Sequence, residues 1–293
     1  MSTVALITIV HGRHDHLANQ AVTVTDGTRR PDLWVVVAMN DPTLTVAGAC
    51  VLHLDTDLPG LPLAAARNLG ARHAISLGAD VLVFLDVDCL PGPRLVEASA
   101  AAVDDAPDVV WSGVVTYLPP PPDRGYALTD LQTLDAPHPG RPAPDAGERL
   151  DNPDPDLFWS LCFALHRHTW QRIGGFCEEY VGYGGEDTDF ARVVHERGFR
   201  HGWLGDARAY HQHHEIESPP VRHVDAIVRN AAIFHDRWGV WPMTTWLNAF
   251  AELGLVECHD GRWRRTQAHD VPAVPERQTP GTTSGAQPRS GHV

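Results

Sequence analysis

Three stretches of unbroken apolar, largely β-branched sequence set the fold class: Val4 to Val10 (VALITIV), Leu33 to Met39 (LWVVVAM) and Val81 to Leu85 (VLVFL). A strand with one wet face alternates apolar and polar residues. These runs do not alternate, which marks strands covered on both faces, as in a parallel sheet between helices. Val51 to Leu54 adds a shorter strand, and Leu63 to Leu77, rich in Ala, Leu and Arg, reads as a helix. Pro91 and Pro93 read as the start of a helix through about Ala102, since proline is tolerated in a first turn. This order predicts an α/β fold with a mainly parallel central sheet flanked by helices, whose ligands bind at the carboxyl ends of strands.

The middle of the chain changes character. Leu118 to Asp156 holds the run Pro119 to Pro122 and many further Pro, Asp and Gly residues. It reads as a flexible loop beside the site or as a disordered insertion. A strand pattern returns at Leu157 to His166, then a short helix at Thr169 to Ile173 closed by Gly174 and Gly175. A second helix follows Gly185 and runs to about Arg197, with Gly198 at its end, and a strand lies near Ala207 to Tyr210. Val221 to Trp238 and Trp241 to Leu253 read as partly amphipathic helices, and from about Thr266 the tail reads as disordered.

Composition narrows the partners. With 37 acidic against 23 basic side chains the formal charge is -14, which disfavours nucleic acid but leaves room for a basic pocket that takes a small diphosphate. Cys50, Cys89, Cys162, Cys177 and Cys258 have no paired or metal-ligand spacing, as expected of idle thiols in a reducing compartment. The apolar run from Val4 stops before His11, short of the ~20 residues of a membrane span, so the expectation is a cytoplasmic protein with no transmembrane segment.

Four places could do chemistry. Asp86 and Asp88 follow a buried strand, and alternation sends both carboxylates the same way, toward one hard cation such as Mg²⁺ or Mn²⁺; turn or cap aspartates before Pro91 are the alternative. In Gly184-Gly185-Glu186-Asp187, two glycines let the backbone approach a ligand just before a helix. Asp187 there could take a proton from an attacking hydroxyl. Simple capping is the alternative, and it covers Asp189 well. In Tyr210-His211-Gln212-His213-His214, one imidazole could complete an oxygen-rich metal shell, although the chain has 18 histidines and at least one of His213 and His214 reads as a solvent-facing polar side chain. Finally, Arg13 in the loop after the first strand could pair with phosphate, Asn40 and Asp41 could meet a base or ribose, and Arg67 and Asn68 lie on a helix face that could look into the same crevice. Singly, each is also an ordinary loop or surface group.

The order VHGRHDHL (Val10 to Leu17), ARNLGA (Ala66 to Ala71), FLDVDCLP (Phe84 to Pro91) and IGGFCEEYVGYGGEDTDFARVVHERGF (Ile173 to Phe199) resembles the GT-A glycosyltransferases. It is most similar to the family 2 enzymes and the galactosyltransferase-type carboxyl-terminal segment, over about Val4 to His214. The resemblance implies a Rossmann-like nucleotide-diphospho-sugar transferase fold. It also implies inverting transfer of a sugar from a nucleotide-diphosphate donor, a UDP-sugar, to a carbohydrate or other hydroxyl acceptor, with Mn²⁺ or Mg²⁺. Asp88 would bind the metal and Asp86 the ribose or the metal shell; His211 would be the further ligand, with His213 and His214 as alternatives. Asp187 would be the general base, Glu186 would grip the acceptor, Tyr183 would line the pocket and Arg13 would contact the diphosphate. His11 stands where a second arginine is common, Leu63 where a polar donor contact is common, and the acidic run reads Glu-Asp-Thr-Asp.

The implied organisation is a donor half at 1–117, the Pro-rich loop at 118–156, an acceptor and catalytic half at 157–214, carboxyl-terminal helices at 215–265 and a disordered tail at 266–293. Two rivals stand beside this reading. A sugar-phosphate nucleotidyltransferase would want a glycine-rich basic loop near the first strand, and HGRHDH is poor in glycine. A non-catalytic sugar-binding homologue would not need Asp86, Asp88, Glu186 and Asp187 together.

Overall fold

The computed structural model describes residues 1–151, 154–215 and 217–266. In chain order its elements are β1 (Val4–Val10), α1 (His14–Asp26), β2 (Leu33–Met39), β3 (Cys50–Leu54), α2 (Leu63–Ser76), β4 (Val81–Leu85), β5 (Cys89–Pro91), α3 (Leu95–Asp105) and β6 (Val109–Tyr117). There follow β7 (Arg149–Asp151), β8 (Cys162–His166), α4 (Arg167–Ile173), α5 (Glu186–Glu196), β9 (Arg200–His211), α6 (Val224–Trp238), α7 (Thr244–Glu252), β10 (Val256–His259) and β11 (Arg262–Arg265).

The apolar runs are strands, and they are covered on both faces. Every residue of β1 and β4 is buried, as is all of β2 except Leu33. The nine-stranded sheet runs β3-β2-β1-β4-β8-β6-β9-β5, with β7 beside β9. β1 pairs in parallel with β2 and β4, β2 with β3, and β6 with β9, while β8 runs antiparallel between β4 and β6. The sheet is therefore mainly parallel. Leu17, Val24, Leu95 and Val103 of α1 and α3 pack on one face against Val4, Leu6 and Val83. Ala64 and Ala71 of α2, with Phe190 and Val194 of α5, pack on the other against Ile7, Val37 and Phe84. A third cluster joins Ile227 and Ala231 of α6, Leu247 and Phe250 of α7, and Val256.

Several elements differ from their sequence reading. The helix after Asp88 begins at Leu95, because Cys89 to Pro91 first extend as β5 and pair with β9. β6, a central strand, carries Ser112 and Gly113 in its interior, which break its apolar signal. Gly113 is obligatory: a Cβ there would lie 2.5 Å from the Ala207 carbonyl oxygen, at the bulge between β6 and β9. The segment 118–156 is not featureless, since it forms a 3₁₀ helix (Leu128–Leu134) and β7, which pairs with β9. Residues 215–265 are not helices alone. Their end is the hairpin β10–β11, turned by Asp260 and Gly261 at φ 51 and 72, as a two-residue type I′ turn requires. The expected disordered tail lies, from 267 on, outside the described residues.

Candidate active site

β1, β2 and β4 run in parallel, and residues at and just beyond their carboxyl ends line one crevice. It is a cavity of about 310 Å³, lined by Ile9, His11, Arg13, Met39, Leu63, Arg67, Asp86, Asp88, Tyr183 and His214, among others. Arg13 turns the chain at φ 52 into α1. His11 is fixed by a 2.8 Å contact from Nδ1 to the Met39 carbonyl. Across the crevice, Gly182 crosses Gly60 so closely that a Cβ on Gly60 would sit 2.9 Å from the Gly182 Cα. That crossing seats Tyr183, 42% exposed, in the cavity wall with its ring stacked on His223.

The β5–β9 pairing sets Cys89 opposite His211, and the Gln212 amide donates to the Asp88 carbonyl at 2.7 Å. Backbone register thus carries Asp88 to histidines more than a hundred residues away. Asp88 Oδ2 lies 3.5 Å from His211 Nε2, 3.7 Å from His214 Nε2 and 3.1 Å from the Arg13 guanidinium. One ligand atom each from Asp88, His211 and His214 falls within 4.8 Å of the others. Two ligands ~2.1 Å from a shared octahedral ion stand from ~3.0 Å to ~4.2 Å apart, so the 3.5 and 3.7 Å contacts suit a divalent cation, as do the oxygen and imidazole donors. Burial alone would push the Asp88 carboxyl up, but hydrogen bonding and charge from His211, with Arg13 and His214, hold it at about 2. Burial pushes the His214 imidazole down, against the Asp88 charge that raises it. His213 is exposed and stands outside this group; its backbone amide bonds the Tyr126 hydroxyl at 3.0 Å.

Arg67 joins the two acidic motifs. It is 3% exposed, donates to both oxygens of Asp86 at 3.0 and 3.2 Å, and lies 3.5 Å from Glu186 Oε1. Glu186 and Asp187 open the first turn of α5 after Gly184 and Gly185, both with φ above 90°. Burial, with the Asp187 charge behind it, raises the Glu186 carboxyl to about 7 despite Arg67. Burial also raises Asp187, against the Thr188 amide and the charges of Arg67 and Arg141. Asp189 does not cap the helix: it is buried and accepts from the Tyr180 hydroxyl, Arg237 and the Trp238 indole, tying α5 to α6.

Three of the expected donor contacts face elsewhere. Asn40 accepts from the Thr56 amide at 2.9 Å, and Asp41 pairs with His14 at 2.7 Å. Asn68 is buried and locks the Phe176 backbone through both its amide groups. Conversely, Glu217, Arg222 and His223 line the cavity, and the Tyr117 ring lies tilted against His211 with centroids 4.4 Å apart. Nothing in their spacing along the chain marks these residues; the fold alone gathers them.

Residues 150–224 match the family described as the N-terminal domain of galactosyltransferase. The chain is 31% identical over 195 residues to validoxylamine A glucosyltransferase of Streptomyces hygroscopicus subsp. jinggangensis (strain 5008), an alignment covering 58% of this chain and 45% of that one. The protein of the same name from subsp. limoneus is also 31% identical, with 42% of it covered, so the chain spans less than half the length of these relatives. Among solved structures, GalNAc-T7, crystallised with UDP, GalNAc and Mn²⁺, superposes with a TM-score of 0.53 at 14% identity over 86% of this chain and 57% of its own. S. aureus TarS gives 0.52 at 13% identity over 85% and 42%. Among the described residues no helix is long and apolar enough to cross a membrane. The chain thus shares the GT-A fold of these solved glycosyltransferases, and its segment 150–224 matches a galactosyltransferase domain.

Proposed function

We propose that the chain transfers a hexosyl group, with inversion, from a nucleoside diphosphate donor to an acceptor hydroxyl, with Asp187 as general base. UDP-glucose is the first donor to test, given the glucosyltransferase relatives and the UDP-bound structural neighbour. The observation that carries the reading is the grouping of Asp88, His211 and His214 at a cavity whose Asp86 is joined to Glu186 by one buried arginine. Mn²⁺ or Mg²⁺ would be held by Asp88, His211 and His214, and when bound would neutralise charge growing on the leaving diphosphate.

The chain's own residues do the rest. Arg13, paired with Asp88 and lining the same cavity, would add charge-assisted hydrogen bonds to the diphosphate. Asp86, held by Arg67, would keep its remaining lone pairs for a ribose hydroxyl. Tyr183 and His223 form an aromatic wall that would shield the donor sugar from water. Asp187 would accept the proton as the acceptor oxygen attacks the anomeric carbon from the face opposite the diphosphate. One displacement inverts that centre without an enzyme-bound intermediate. Glu186, neutral over much of the acidic range because of its burial, would donate a hydrogen bond to the acceptor and fix its approach. The two rivals lack a comparable observation. Thermal-shift screening of nucleotide sugars with and without Mn²⁺ tests the donor: a Mn²⁺-dependent rise with UDP-hexoses supports it. No response to any nucleotide sugar, or an unchanged response in Asp88→Ala, overturns it.

A further inference from the structure

Helix α1 packs on the sheet through Leu17 and Val24, yet the position between them on the same helical stripe is Gln20, which is fully buried. An apolar side chain would serve an ordinary helix–sheet contact there, because a buried amide is unfavourable unless it is hydrogen-bonded. Gln20 is bonded at both ends. Its Oε1 accepts from the Thr8 hydroxyl at 3.0 Å, and its Nε2 donates to the Asp86 carbonyl at 2.9 Å and the Cys89 carbonyl at 2.7 Å. The Thr8 hydroxyl accepts in turn from the Trp34 indole at 3.3 Å. A second buried amide, Gln212, is 1% exposed and repeats the pattern. Its backbone amide donates to the Asp88 carbonyl at 2.7 Å, its Nε2 donates to the His16 carbonyl at 3.1 Å, and its Oε1 accepts from Asn19 Nδ2 at 2.8 Å.

These bonds converge on the two segments that carry Asp88, His211 and His214. Asp88 lies between the two residues whose carbonyls Gln20 holds, and His211 and His214 stand on either side of Gln212. The same helix leaves the turn at Arg13, whose guanidinium is 3.1 Å from Asp88. α1 is thus a common frame for two ligand segments distant in the chain and for the cation beside them. A small divalent ion needs its ligand atoms held to a fraction of an ångström, so groups that fix the ligands' backbone govern its affinity. Two amides that served only to satisfy loop carbonyls would govern stability alone.

We infer that Gln20 and Gln212, with Asn19, are positioning residues for the metal triad: they fasten the Asp88 segment and the His211–His214 segment to α1 and hold the three ligand atoms at the spacing a divalent cation needs. The inference rests on the reading of Asp88, His211 and His214 as ligands, and Asp88→Ala tests that reading separately. Mn²⁺ is titrated calorimetrically into the full chain after chelator treatment, and the stability of each metal-free variant is measured beside it by urea denaturation. Gln20→Met and Gln212→Met, similar in length but without the amide, should each weaken Mn²⁺ binding by about tenfold or more. Asn19 is half-buried. Asn19→Ala removes its bond to Gln212 while favouring the helix; it should weaken Mn²⁺ binding by about threefold or more, and it carries the test if the methionine variants do not fold. Val24→Ala, on the same buried stripe but with no side-chain hydrogen bond to lose, should lower stability and leave Mn²⁺ affinity within about twofold of wild type. Wild-type Mn²⁺ affinity in the folded glutamine or asparagine variants, or an equal loss in Val24→Ala, overturns the inference. Mn²⁺ binding that survives Asp88→Ala would instead overturn the reading of the ligands, and the inference with it.

Discussion

Replacing Glu186 by Gln should stabilise the protein at pH 8 and change little at pH 5. The Glu186 carboxyl is buried, Oε2 has no hydrogen-bond partner among the described residues, and Oε1 lies 3.5 Å from Arg67 Nη1. Its folded value is about 7 against 4.5 for the free side chain, with burial as the main cause. Between those two values the unfolded chain has released the proton and the folded chain still holds it. Wild-type stability therefore falls as pH rises through that window. A gap of about 2.5 pH units at about 1.4 kcal/mol each gives a loss of roughly 3 kcal/mol by pH 8. Glutamine keeps the shape and has no proton to lose, so it escapes this loss. Urea denaturation of both proteins at pH 5 and pH 8 should show the difference widening by about 2–3 kcal/mol in favour of Glu186→Gln. An equal difference at both pH values would mean that the carboxyl is already ionised in the folded protein at pH 5, and the burial argument would be wrong.

Two further perturbations probe the architecture of the site. Arg67→Met strips the shared cation from Asp86 and Glu186 and should cost about 3–5 kcal/mol at neutral pH by urea denaturation, because it leaves buried carboxylates uncompensated. A loss under 1 kcal/mol would show that the bridge is not structural. His214→Ala should weaken Mn²⁺ binding by about 10–100-fold or more in calorimetric titration, the scale of loss when even a ligand's hydrogen-bond partner is removed, whereas His213→Ala should leave it unchanged. The reverse pattern would reassign the ligand.

The parts of the fold legible in the sequence were those with a strong local signal. β1, β2 and β4 are apolar throughout because both faces are covered, and their bounds could be read directly. Most of β9 was hidden because Gly202, Gly205 and Asp206 interrupt it; a Cβ on Gly202 would strike the Trp111 ring at 2.6 Å, a demand set by a distant strand. The β10–β11 hairpin did carry a signal, Asp260-Gly261, that a helical reading of the segment passes over. At the site, the carboxylate motifs were legible from their places after a strand and before a helix. The choice among His211, His213 and His214 was not, because it depends on the β5–β9 register, which places His211 and His214 at Asp88 together.

Single-turnover transfer by Asp187→Asn, measured beside its Mn²⁺-dependent affinity for the donor that thermal shift selects, is the most direct test of a site in which one acidic motif holds the donor and the other takes the proton. Donor affinity within about threefold of wild type with transfer slowed by about 10²–10⁴-fold is the expected result. Transfer at the wild-type rate would contradict it, as would loss of donor binding equal to the loss of rate.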